Sequence, residues 1–218
     1  MRFQDLLLVP DRFFQEQDSE KLVIPLIIIG MIGIISAVSA YFVTTVTIQA
    51  LVTAMPAGSQ QYLGIAILFA IIGGILGAYL LWVVASVIFF GLSAVFHGSG
   101  SFKKTLVNIG YGFVPQIIGG AISTYYMYQF ASSVRIPRIT DPNLINQVMK
   151  ELMADPNFVL GSAVGILFML WSANIWIFGL KHARNLSTRD AAICVLAPVG
   201  IYLIYTLYTL GIFRGIFS

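Results

Sequence analysis

The chain is poor in charge. Only 10% of its 218 residues are Asp, Glu, Lys or Arg, against 58% hydrophobic. A soluble domain carries roughly 25% charged residues, so an ordinary water-facing surface is excluded. The deficit is concentrated in blocks. No charged residue occurs between Lys21 and Lys103, from Thr105 to Val134, from Pro156 to Leu180, or from Ala191 to Phe213. Apolar runs this long need hydrocarbon as their solvent, because a helix crosses the bilayer core with about 20 residues.

Other absences narrow the chemistry. Cys194 is the single cysteine, which excludes an intrachain disulfide and leaves the redox compartment unmarked. No ionisable group lies inside an apolar run. Intramembrane enzymes and proton-coupled transporters keep such groups at depth, so neither is expected, and no cofactor is expected either. GLSAVFHGSG does not supply the G-x-S-x-G of a serine nucleophile. His97 and His182 both fall at run ends without a neighbouring Cys or carboxylate, which is a poor basis for a metal site. The first apolar run is too long for the core of a cleavable leader and is expected to act as an uncleaved anchor.

What is present reads as an all-α, polytopic membrane protein of five helices. The apolar runs are Leu22–Met55, Tyr62–Phe96, about Thr105 to Phe130, about Phe158 to Lys181 and about Thr188 to Phe213. The first two hold about 34 residues each, roughly 50 Å as straight helix. That exceeds one crossing and falls short of two, so each is expected to be one long helix, tilted or protruding. Residues 1–21 form a cytoplasmic N-terminal segment, 22–214 the membrane domain, and 131–157 an external loop with a short helix.

Positive charge sets the sidedness. Arg2, Arg12, Lys21, Lys103, Lys104, Lys181, Arg184 and Arg189 share one side; Arg135, Arg138, Lys150 and Arg214 have the other. The N-terminus is therefore cytoplasmic and the C-terminus outside. The net charge of +3 is a topology signal, and no nucleic-acid partner is expected. In DPNLINQVMKELMADP, Asp141 can cap a helix with Pro142 at its first position. Leu144, Val148 and Leu152 share one face, which suits a helix on the outer membrane surface or one packed over the bundle. On the inner side, Val9, Phe13 and Phe14 around Pro10 suit docking at the headgroups or against the loops.

Helices in lipid associate through close packing and polar contacts, so small residues mark contact faces. The second helix carries Ala66, Ala70, Gly74 and Ala78 at spacing four, with Gly73 and Gly77 alongside; the fourth carries Gly161 and Gly165. This places the second helix centrally. Packing within one chain is the default, and a homodimer contact is the alternative. Tyr125, Tyr126 and Tyr128, with Tyr202, Tyr205 and Tyr208, suit an outer aromatic belt or, for the last three, a cavity lining.

NIGYG at Asn108–Gly112 looks like a potassium-channel filter, yet it follows the cytoplasmic Lys103-Lys104 pair with no pore helix before it. GSGSFKKT half resembles a phosphate loop, but Phe102 and Lys103 stand where glycine and lysine are required. NIGYGFVPQ instead reads as a helix start, with Gly110 and Gly112 permitting close approach and Pro115 adding a bend. Lys103 and Lys104 are candidates for contact with anionic lipid headgroups, or simply orienting charges. The polar residues left at depth are Gln49, Asn108, Gln116 and Asn174; Gln116 and Asn174 could bond each other or carbonyls freed by Pro115 and Pro198. A small polar permeation path is the other reading of the same residues.

FHGSGSFKKTLVNIGYGFVPQIIG resembles the most recognisable part of the Yip membrane proteins, named for interaction with Ypt/Rab GTPases. Gly98, Gly100, Ser101, Phe102, Lys103, Thr105, Gly110, Tyr111, Val114 and Pro115 fit the pattern of prokaryotic members. PDRFFQ resembles the family's proline and paired aromatics, and IWIFGLKHARNLSTRDAA its fourth loop. The resemblance implies five spans with a cytoplasmic N-terminus and, for eukaryotic relatives, vesicle trafficking and Rab binding. The N-terminal segment lacks their D-L-Y-G-P motif, so the chain looks like a short prokaryotic member, expected in the plasma membrane. Two functions follow. One is a non-enzymatic protein that organises the bilayer or recruits a membrane or cytoplasmic protein partner. The other is a channel or passive transporter for a small polar or lipid-like solute.

Overall fold

The computed structural model describes residues 3–17, 20–51, 62–134 and 145–210. Its elements are α1 (Phe3–Leu8), α2 (Pro10–Gln15), α3 (Val23–Leu51), α4 (Leu63–Val95), α5 (Phe102–Tyr111), α6 (Val114–Ser133), α7 (Ile145–Met153), α8 (Pro156–Arg184) and α9 (Thr188–Thr209). No strand occurs among the described residues. By length and composition α3, α4, α8 and α9 can each cross a membrane, and α5 with α6 makes a fifth crossing as a pair bent by 43°. The two longest apolar runs are single helices, as their length requires.

The third span departs from expectation. It begins earlier, at Phe102, because the Ser101 side chain caps it by accepting from the Lys104 backbone N–H at 3.0 Å. It then breaks at Gly112–Phe113, so NIGY ends one helix and VPQ begins the next. Pro115 stands in the first turn of α6, where its missing N–H costs nothing. The break itself follows from Pro115: it has no N–H for the Tyr111 carbonyl four residues back, and α5 ends at Tyr111. Gly112 matters for packing. A Cβ there would run into the indole of Trp176, so only glycine lets α8 approach this closely.

The hub also differs from expectation. α8 touches α2, α4, α5, α6, α7 and α9, whereas α4 packs chiefly on α3 and α5. Leu68, Phe69, Leu76 and Leu80 leave much of α4 exposed. The physical reason lies in facing. Gly74 meets the backbone of Ser36 and Ala37 on α3, and Ala78 is buried; Gly73 and Gly77 face open space. On α8, by contrast, Gly161, Ser172, Ala173, Ile175, Trp176, Gly179 and Leu180 are all buried.

At the end where α8 begins, α7 packs as a loop helix over the bundle. Val148 and Leu152 are buried against Phe130 and Val46, and Asp155 caps α8 by accepting from the Asn157 N–H at 2.8 Å. The proposed Asp141 cap, Pro142, Leu144, Arg135, Arg138 and Arg214 lie outside the described residues. Tyr125, Tyr128, Tyr202, Tyr205 and Tyr208 are exposed, as a belt requires.

Candidate functional site

The segments that positive charge assigns to one side do meet at one end. There the larger core cluster forms, and Leu6, Phe13 and Phe14 from α1 and α2 are buried in it with residues of α3, α4, α5, α8 and α9. Two groups of polar contacts tie this cap together.

The first centres on Arg184. Its side chain is buried, 5% exposed. Nε donates to Ser93 Oγ at 2.8 Å, one terminal nitrogen donates to the Gly100 carbonyl and the other to the Gly98 carbonyl. The guanidinium also lies 4.2 Å from the Phe90 ring centroid. A rigid fork of donors suits such a ring of neutral acceptors, which a lysine could not match. The Ser99 N–H donates to the Arg184 carbonyl at 2.9 Å. Gly100 has φ of +126°, a conformation that favours glycine, and a Cβ there would collide with the Ala183 carbonyl. Sequence reasoning gave Arg184 only a sidedness role. Its partners are backbone carbonyls, which leave no residue signature; the glycines opposite were the one available signal.

The second group latches the N-terminal helices onto α8. Asp11 Oδ1 accepts from Lys181 Nζ and lies equally close to His182 Nε2, both at 2.7 Å. The Lys181 and His182 hydrogen bonds hold the Asp11 carboxyl below its ordinary range, with burial opposing weakly. Gln17 Nε2 donates to the Tyr111 hydroxyl at 3.4 Å, and Phe13 meets Tyr111 edge-on at 5.4 Å between centroids.

α5 lies between these groups. The Trp82 indole donates to the Leu106 carbonyl at 2.9 Å and the Trp176 indole to Ile109 at 3.0 Å. Asn108 is buried and its Nδ2 donates to the Gly179 carbonyl at 3.0 Å. Gly110 lies against Pro25 and Trp82, and Phe102 packs edge-on to Phe90 at 5.4 Å. The filter-like run is thus helical from Asn108 to Tyr111, and the Asn108, Ile109 and Gly110 carbonyls accept hydrogen bonds. Lys103 is exposed and Lys104 half-buried on the outside of the same helix. His182 is engaged with Asp11, and His97 sits in the turn after α4. Among the described residues no three His, Cys, Asp or Glu side chains converge as metal ligands do.

The other polar residues are dispersed. Gln49 and Asn174 are exposed and Gln116 is half-buried, with no hydrogen bond between Gln116 and Asn174 among the described residues. Of the packing residues, Ala66 is exposed and Ala70 half-buried. A Cβ on Gly161 would meet Met127 and Tyr126, and the Gly161 carbonyl accepts from Ser123 Oγ at 2.8 Å; a Cβ on Gly165 would stand 3.7 Å from the same hydroxyl.

Gln116 sits where two chambers meet. The outer one, about 510 Å³, lies between α3, α6, α8 and α9. The inner one, about 220 Å³, lies between α4, α8, α9 and the α5–α6 break. Met169 and Tyr202 also border both.

An uncharacterized protein of Methanocaldococcus jannaschii is 32% identical to the chain over 136 residues, which is 60% of this chain and 94% of that protein. No solved structure matches. The Yip1 domain family model matches residues 5–210, spanning the N-terminal latch, the Arg184 loop and every described helix crossing. The chain therefore belongs to the Yip1 domain family, as a multi-pass helical membrane protein.

Proposed function

We propose that the protein is a non-enzymatic membrane scaffold that recruits a protein partner through its cytoplasmic cap. The observation that carries this reading is the convergence of three segments far apart in sequence. The Gly98–Ser101 loop, the Asp11 helix and the Arg184 turn are pinned to one another by directed hydrogen bonds. Their shape is therefore fixed before any partner arrives, and preorganisation reduces the ordering cost of binding. Lys103 presents its charge beside this surface, available to acidic side chains or anionic headgroups. Family membership favours the same reading, since a trafficking-related scaffold works through contacts.

The test is photo-cross-linking from Ser99 and Lys103 in native membranes. A discrete protein adduct, lost when the cap is disrupted by Arg184→Ala, is the expected result. A clean monomer in mild detergent and in lipid, with no adduct from either position, overturns the reading. The chambers at Gln116 favour a second reading, passage of a small polar or lipid-like solute. Solute flux into proteoliposomes that Gln116→Leu abolishes is its expected signature, and a flux-free screen with folded protein ends it.

A further inference from the structure

We propose that the two chambers form one intramembrane binding site for an uncharged amphiphile: a lipid with one hydroxyl or carbonyl group placed on Gln116 and its apolar chain in the outer chamber. This concerns binding rather than passage, and it stands independently of partner recruitment.

The volume comes first. The outer chamber, at about 510 Å³, falls in the range of roughly 300–1,000 Å³ usual for small-molecule sites. The inner chamber adds about 220 Å³ beyond Gln116, Met169 and Tyr202.

The lining selects the ligand class. Among the described residues no Asp, Glu, Lys, Arg or His borders either chamber; Val43, Met127, Phe158 and Met169 supply apolar wall. A phosphate or ammonium inside would be left unpaired, at a cost no apolar contact offsets. The serine and threonine hydroxyls are already engaged. Ser123 Oγ donates to the Gly161 carbonyl at 2.8 Å, Ser162 Oγ to Phe158 at 2.9 Å and Thr206 Oγ1 to Tyr202 at 2.9 Å. Ser39 Oγ and Thr124 Oγ1 pair at 2.5 Å. The Gln116 amide has no partner among the described residues. An amide carries two N–H donors and a carbonyl acceptor, and in hydrocarbon an unmet amide is costly. A hydroxyl or carbonyl on the ligand satisfies it; a pure alkane does not.

Depth and access agree. Gln116 stands near the middle of the bent 102–133 crossing, and so deep within a core about 30 Å thick. A polar group at that depth belongs to a neutral lipid such as diacylglycerol or a long-chain alcohol, because a phospholipid keeps its headgroup at the surface. Tyr202 is 53% exposed, so a border of the site faces the lipid.

The test uses the purified full chain in nanodiscs with a diazirine-bearing diacylglycerol, and a phosphatidylcholine bearing the same photoactivatable chain as comparison. The expected result is saturable labelling by the neutral probe, mapped to α6, α8 and α9 peptides and competed by excess unlabelled diacylglycerol. Gln116→Leu is expected to weaken it fivefold or more. Gly165→Phe, which fills space where only Ser123 Oγ stands within 4 Å, is expected to abolish it. Equal labelling by both probes means annular lipid only and overturns the proposal. So does neutral-probe labelling unchanged in Gln116→Leu and in folded Gly165→Phe; if Gly165→Phe does not fold, unchanged labelling in Gln116→Leu suffices. No partner protein is present, so the outcome is separate from that of cross-linking in native membranes.

Discussion

Alanine at Gly74 should destabilise the protein, while alanine at Gly73 or Gly77, in the same small-residue motif, should not. A Cβ on Gly74 would stand 2.7 Å from both the Cα and the N of Ala37 and 2.9 Å from the Ser36 carbonyl carbon. Ordinary carbon contacts are about 3.5–4.0 Å, so α3 and α4 must separate locally by about 1 Å. Backbone cannot rotate out of the way as a side chain can. Overpacking of this kind costs typically 1–3 kcal/mol, offset by up to about 1 kcal/mol from the better helix propensity of alanine. The net expectation for Gly74→Ala is a loss of roughly 1–2 kcal/mol. At Gly73 and Gly77 an added Cβ meets nothing within 4 Å. Only the propensity gain applies there, so those variants should match or slightly exceed the parent. Reversible unfolding in mixed dodecylmaltoside–SDS micelles, followed by circular dichroism, measures all three. Equal stabilities would refute the reasoning, and so would a larger loss at Gly73 than at Gly74.

Three further expectations follow from the cap. Arg184→Lys keeps the charge but loses the fork, and should cost roughly 2–4 kcal/mol, since charge-assisted bonds are worth about 1.5–3 kcal/mol each and the freed carbonyls recover water; faster protease cleavage between Gly98 and Ser101 is the readout. Asn108→Asp should be more damaging than Asn108→Leu, because a buried carboxylate has no cation beside it whereas leucine merely gives up one bond to Gly179; thermal melts of the two variants decide. The Asp11 latch should respond to acid. Its folded pKa is depressed below the ordinary 3.8 by Lys181 and His182, so its contribution is present above that value and is lost as pH falls through the lower folded value. The pair is half-exposed, which limits the effect to about 0–1 kcal/mol. A fluorophore on the N-terminal helices should report a small local loosening below about pH 4, the helices staying docked through Leu6, Phe13 and Phe14, and Asp11→Asn should remove that pH step.

The spans were legible because charge is excluded from hydrocarbon, and the common end of the N-terminal segment, second loop and fourth loop because lysine and arginine sort by side. The break in the third span was legible from Pro115, which cannot bond the Tyr111 carbonyl one turn back. The packing of Trp176 on Gly112, across 64 residues, was not, because a contact that distant leaves no local mark. Of the alternatives open to Gln116 and Asn174, a bond to each other is absent among the described residues for reasons of rotational phase. Ser172, Ala173, Ile175 and Trp176 are buried around Asn174, which points outward, and depth alone cannot tell a sequence which way a residue faces. Gly73 and Gly77 were read as lying alongside the row that holds Gly74; adjacent positions on a helix face directions about 100° apart, and only the position of α3 shows that Gly74 alone of the three meets it.

The Arg184 fork bridges residues 84 positions apart. During synthesis the Gly98–Ser101 loop emerges long before its arginine, and α6, α7 and α8 must be made first. The loop therefore closes only on a chain whose later helices have been threaded with the correct sidedness. A copy with α8 inverted would hold the arginine on the opposite side of the membrane and leave the Gly98 and Gly100 carbonyls without it. The clamp thus forms only in a chain whose α4 end and α8 end have come to the same side.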